Sequence, residues 1–75
     1  MKQTTKYLVV FEKEGRSFGA SVPDLPGCVA VASTLPAVKK LIREAIALHV
    51  EDMDATGQRL PRARATAELL EPLSA

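Results

Sequence analysis

The spacing of apolar residues along this 75-residue chain changes period once, and that change divides it into a β-rich first half and a helical second half. In residues 6–12, KYLVVFE, Tyr7, Val9 and Phe11 alternate with Leu8 and Val10, so both faces of the segment are apolar. Such a run predicts a strand, and specifically one covered on two sides. KEGR, residues 13–16, predicts a turn with Gly15 free to take positive φ. In SFGASV, residues 17–22, Phe18, Ala20 and Val22 share one face and Gly19 and Ser21 the other. This alternation predicts a half-buried second strand forming a hairpin with the first. CVAVAS, residues 28–33, predicts a third strand.

From Thr34 the period lengthens. Leu35, Val38, Ile42, Ala45, Ile46, His49, Val50 and Met53 recur every three or four positions, which predicts an amphipathic helix over residues 35–56. Thr34 or Ser33 is its N-cap, Pro36 sits in the first turn where its missing N–H costs nothing, and Gly57 ends it.

Between the second and third strands lies VPDLPGC, residues 22–28. Pro23 and Pro26 fix their own φ and push Val22 and Leu25 towards extended conformations, while Gly27 can adopt a backbone closed to residues with a Cβ. The segment therefore reverses the chain stiffly. It lets Leu25 plug the end of the core and Asp24 accept local backbone N–H bonds. After the helix, Pro61 stops regular structure, and a short turn capped by Thr66 is expected to bring Leu69 and Leu70 into a small apolar contact. One domain over residues 1–75 is expected, with a core of about residues 6–61 and a loosely ordered tail, 62–75.

Size and charge narrow the function classes. A chain this short buries only about 60% of its unfolded surface, so association with another chain is favoured. Ten basic and nine acidic side chains nearly cancel, which argues against a protein whose main work is to neutralise a phosphate backbone. Arg59, Arg62 and Arg64 form the one local basic cluster, and they lack interleaved aromatic residues; weak nucleic-acid binding through this tail is the third-ranked reading. A single cysteine makes no internal disulfide, and neither a signal peptide nor a run of about 20 apolar residues is present. A cytoplasmic protein away from membranes is expected.

The reactive side chains offer little catalysis. A two-metal nuclease needs converging carboxylates, and the strands supply only Glu12, since Glu14 lies in the turn and Asp24 in the proline loop. Cys28 reads as a small buried filler of the third strand rather than a reactive thiol. His49 reads as a packed histidine beside the helix stripe, and a Cys28–His49 pair would require spatial proximity. No catalytic residue, metal or cofactor is expected. The helix charges say more: Lys39, Lys40 and Arg43 lie in its first half, whereas Glu51, Asp52 and Asp54 crowd its last turns, so both groups oppose the macrodipole. A solvated face with pairs such as Lys40 and Glu44 is one explanation. An acidic end that meets a basic partner is the other.

The order of elements resembles the HicB family, the antitoxins of HicAB toxin–antitoxin modules. The resemblance rests on the first strand from Tyr7 to Glu12, on Pro23, Asp24, Leu25, Pro26, Gly27 and Cys28, on the helix around EAIALHVEDM, and on Gly57 followed by Leu60 and Pro61. It covers roughly residues 6–61, and its most specific part is the loop. It implies a partial ribonuclease H-like fold and a partner, the messenger-RNA-cleaving toxin HicA, silenced when its active surface is covered. Many members of the family carry a carboxy-terminal DNA-binding module. This chain ends before one begins, so operator binding is not expected of it alone. The family's fold usually adds a strand after the helix, beside the first strand, and the tail here contains no clear candidate beyond a weak alternation in RARATAE.

These readings combine into an α+β domain, with three antiparallel strands and one long helix on one face, acting as a HicB-like antitoxin. Glu51, Asp52 and Asp54 are the candidate partner contacts, with Asp24 behind them. Leu8 and Val10, with the open edge of the first strand, are the candidates for self-association into a homodimer or larger oligomer. The alternative is a solitary oligomeric scaffold of the same fold without a toxin.

Overall fold

The computed structural model describes residues 5–73; the ends of the expected domain, residues 1–4 and 74–75, lie outside the described residues. Three strands, β1 (Val10–Glu14), β2 (Ser17–Ser21) and β3 (Val29–Ala32), precede one helix, α1 (Leu35–Ala55). The strands form an antiparallel sheet in the order β1-β2-β3, with β2 central, and α1 packs on β2 and β3. This is the expected α+β arrangement with one helix.

The hairpin is tight. Glu14 pairs with Ser17, leaving Gly15 and Arg16 as a two-residue turn in which only the first has positive φ, 59° at Gly15. That is the type II′ pattern, whose twist suits a hairpin and whose first central position favours glycine. Opposite residues across the ladders share a face, so Phe11, Ala20 and Ala30 line the helix side. The other side carries Val10, Ser21 and Val29, then Glu12, Gly19 and Val31. Lys13 lies opposite Phe18 and sets its ammonium 5.6 Å from the ring centroid.

Two expectations for the first strand are corrected. It spans Val10–Glu14, not residues 6–12, and all five of its residues are exposed because β1 is an edge strand rather than an inner one. Continuing the β1–β2 register would set Val9 opposite Val22 and Leu8 opposite Pro23. Pro23 has no N–H to donate and starts a turn, so the ladder stops at Val10. Tyr7 and Val9 still serve the core, packing against it as half-buried side chains without strand pairing.

The core consists of Ala20, Val22, Leu25, Cys28, Val38 and Ile42. On α1 the eight positions of the predicted stripe are the ones that lose exposure, and Val38 and Ile42 are fully buried. Thr34 caps the helix by accepting the Ala37 N–H on its hydroxyl oxygen at 3.2 Å. At the other end Gly57 takes φ 74°, the Gly57 N–H donates to the Asp54 carbonyl and the Gln58 N–H to the Met53 carbonyl. That pair of bonds is a Schellman motif and satisfies carbonyls the helix would otherwise leave open.

Candidate functional site

The loop at residues 22–28 follows directly from its sequence. The Leu25 N–H donates to the Val22 carbonyl and the Cys28 N–H to the Leu25 carbonyl, both at 3.0 Å. These are two consecutive β-turns. Pro23 and Pro26 each occupy the second position, where φ near −65° is required, and Gly27 at φ 84° occupies the third position of a type II turn. The Val22 N–H, donating to the Cys28 carbonyl at 3.2 Å, continues the β2–β3 register by one pair and closes the loop. Leu25 is thereby turned inward and is 0% exposed, as expected of a core plug.

Asp24 does not make the local bonds expected of it. Its Oδ2 accepts the N–H groups of Arg64 and Ala65, each at 2.9 Å, from 40 and 41 residues away. The Tyr7 hydroxyl donates to the Pro61 carbonyl at 2.7 Å. The chain after α1 is therefore a strap, pinned across the end of the sheet by one phenol and one carboxylate. Beside it lies an open cleft of about 630 Å³ lined by Asp24, Arg59, Leu60, Pro61, Arg62 and Arg64. Tyr7 and the strap were missed from sequence, although a hydroxyl in an apolar run is itself a signal, since a partly buried Tyr O–H seeks an acceptor.

Beyond the strap the expected turn at Thr66 is not formed, and Leu69 and Leu70 make no apolar contact: they are 101% and 79% exposed. Residues 66–73 have no helix or strand. Glu51, Asp52 and Asp54 are all exposed at the end of α1, where the last turn holds no basic residue. The structure pairs Asp24 with the strap rather than with these acids. Val10 is exposed at the start of β1, Leu8 is half-buried just before it, and the outer edge of β1 has no strand neighbour among the described residues.

Cys28 is buried and burial pushes its thiol pKa up, the opposite of an activated nucleophile. His49 is half-buried on α1. Among the described residues no group of three or more metal-binding side chains forms, and no helix is long and apolar enough to cross a membrane.

The sequence matches a family model described as the HicB-like antitoxin of bacterial toxin–antitoxin systems over residues 7–73, so the match takes in the strap as well as the sheet and helix. It is also 36% identical over 56 residues to an uncharacterized 14.9 kDa protein from the rep-hol intergenic region of Haemophilus phage HP1. That alignment spans 75% of this chain and 42% of the phage protein. No solved structure matches the chain, so a ribonuclease H-like kinship rests on the family resemblance. The loop of two proline turns, the single long helix and the match from residue 7 to residue 73 together place the chain in the HicB-like antitoxin family of bacterial toxin–antitoxin systems.

Proposed function

We propose that this chain neutralises a HicA-like messenger-RNA-cleaving toxin by binding it and covering the surface that holds RNA. The observation that carries this reading is the exposed acidic end of α1, Glu51, Asp52 and Asp54, with no basic residue in the last turn. Carboxylates at the negative end of a helix dipole do not serve the helix. They suit a basic partner, and a protein that grips RNA presents a basic surface. Asp24 is the next candidate contact after these three, and it lines the cleft beside the strap that it pins. Steric occlusion requires no chemistry from the antitoxin.

The open edge of β1 is the second surface in this reading. Val10 at its start and Leu8 just before it are the side chains nearest a strand added there, by a second copy or by the toxin. Co-expression with the small protein encoded beside this chain, followed by co-purification and a messenger-RNA cleavage assay, tests the proposal. A stable complex with suppressed cleavage is expected. Asp52→Lys with Asp54→Lys should weaken that complex by about tenfold or more and leave the far-ultraviolet CD spectrum unchanged. Unchanged affinity would remove the acidic end from the interface.

One observation favours the solitary scaffold as a second reading. The helix-free face of the sheet exposes Val29 at 62% and Val31 at 67%, a surface suited to self-association. Absence of any toxin complex, with the chain forming a discrete oligomer, would select it.

A further inference from the structure

Two features of the molecule lack an occupant, and each has what the other needs. The first is the arm, residues 66–73. It follows immediately on the strap, whose last pinned group is the Ala65 N–H, so its root is fixed. Leu69, Leu70 and Leu73 are 101%, 79% and 98% exposed, and Glu68 and Glu71 lie among them. An apolar segment held at its root and wholly solvated is presented to a partner.

The second is a shallow, open groove between side chains on the exposed outer face of α1, about 530 Å³ and bordered by Pro36, Lys39, Lys40, Arg43, Glu44 and Ala47 of that one helix. Three cations there face one carboxylate. Pro36, Ala47 and the aliphatic stems of the lysines and arginine give it an apolar floor beneath charged heads. The first turn of α1 contains no acidic residue, so the positive end of its dipole is unmatched within its own helix. The arm offers two carboxylates and three leucines; the groove offers a net positive rim over an apolar floor.

We propose that the arm of one copy docks in the α1 groove of a second copy, with Glu68 and Glu71 against Lys39, Lys40 and Arg43 and the leucines against the floor. A chain's own arm does not fill its own groove: Leu69, Leu70 and Leu73 are 101%, 79% and 98% exposed, and no residue of the arm lines the space beside α1, which is open to the arm of another copy. The molecule is long, 51 × 30 × 18 Å, which fits an arm standing off the body. Each copy carries one arm and one groove, so reciprocal docking about a two-fold axis closes a dimer. The contact uses neither the acidic end of α1 nor the edge of β1, and it stands independently of the toxin reading.

Sedimentation equilibrium over the micromolar range tests it on four chains: the full chain, a chain ended after Ala65, Glu68→Lys with Glu71→Lys, and Lys40→Glu with Arg43→Glu. The full chain should be a dimer. The other three should dissociate at least about tenfold more readily while keeping the helical CD signal. A fifth chain with all four charge reversals should recover the dimer, because the attraction is restored with its signs exchanged. A monomeric full chain, or a dimer that persists without the arm, would overturn the proposal. Failure of the fifth chain to recover would equally overturn the assignment of arm to groove.

Discussion

The loop at residues 22–28 and the tail at residues 58–73 have much in common on paper. Each lacks helix and strand, and each carries two prolines, Pro23 and Pro26 in one, Pro61 and Pro72 in the other. Their physical states are nevertheless opposite. The loop satisfies its own backbone with three hydrogen bonds within seven residues and contributes Val22, Leu25 and Cys28 to a six-residue core. The tail borrows its bonds from distant side chains, Tyr7 and Asp24, and contributes no residue to that core. Irregular structure is rigid when the chain closes on itself around a buried anchor. It is only as firm as its few borrowed contacts when it does not.

The sharpest way to break this comparison is to truncate one leucine from each region. Leu25→Ala removes a fully buried side chain from a closed loop and should cost about 2–5 kcal/mol of unfolding free energy. Leu69→Ala, measured at concentrations where the chain is monomeric, should stay within about 0.5 kcal/mol of the parent. Urea denaturation followed by far-ultraviolet CD reads both. Comparable losses would mean that the tail belongs to the folded core.

A smaller effect is expected where the two regions meet. Asp24→Ala leaves the loop's backbone bonds in place but deprives the Arg64 and Ala65 N–H groups of their acceptor. Water reaches this partly exposed site, so the cost should be about 1 kcal/mol. Hydrogen exchange separates the contributions: the Arg64 and Ala65 amides should exchange faster, while the Leu25 and Cys28 amides, bonded within the loop, keep their protection. Tyr7→Phe should loosen Pro61 and its neighbours in the same way and by a similar amount. Faster exchange in the loop itself would show that Asp24 braces both regions.

What was legible in the sequence follows the same division between local and distant causes. The helix stripe from Leu35 to Met53 was read residue for residue, because a 3.6-residue period, a Thr34 cap and a Gly57 stop are all encoded within one segment. The inward plug Leu25 and the positive φ at Gly27 were legible for the same reason. The first strand was misplaced because its limits are set elsewhere. The turn at Gly15 and Arg16 and the proline at position 23 fix which residues of β1 have partners, so exposed Lys13 and Glu14 are in the ladder and apolar Leu8 is not. Asp24 reads from sequence as an acceptor of local backbone N–H groups, and the structure gives it donors 40 and 41 residues away that no local rule could name. The candidate partner contacts at Glu51, Asp52 and Asp54 came from a violation of a local rule, the helix dipole, which is why they were visible as candidates at all.

The smallest effect concerns the thiol in the loop, for which the tail has no counterpart. Burial raises the Cys28 pKa, so the folded chain keeps its thiol protonated to a higher pH than the unfolded chain does. Below the unfolded value, about 8.5, both states hold the proton and the thiol's contribution to stability is fully present. As pH rises above that, the unfolded chain loses a proton that the folded chain retains, and stability falls until the folded thiol also ionises. The difference between the parent and Cys28→Ala isolates this contribution, because both carry every other group. The variant should show a constant offset from the lost packing below about pH 8.5 and a shallower decline above it. Parallel curves would mean that the loop opens readily enough to solvate Cys28, and the contrast between a closed loop and a pinned tail would then be one of degree only.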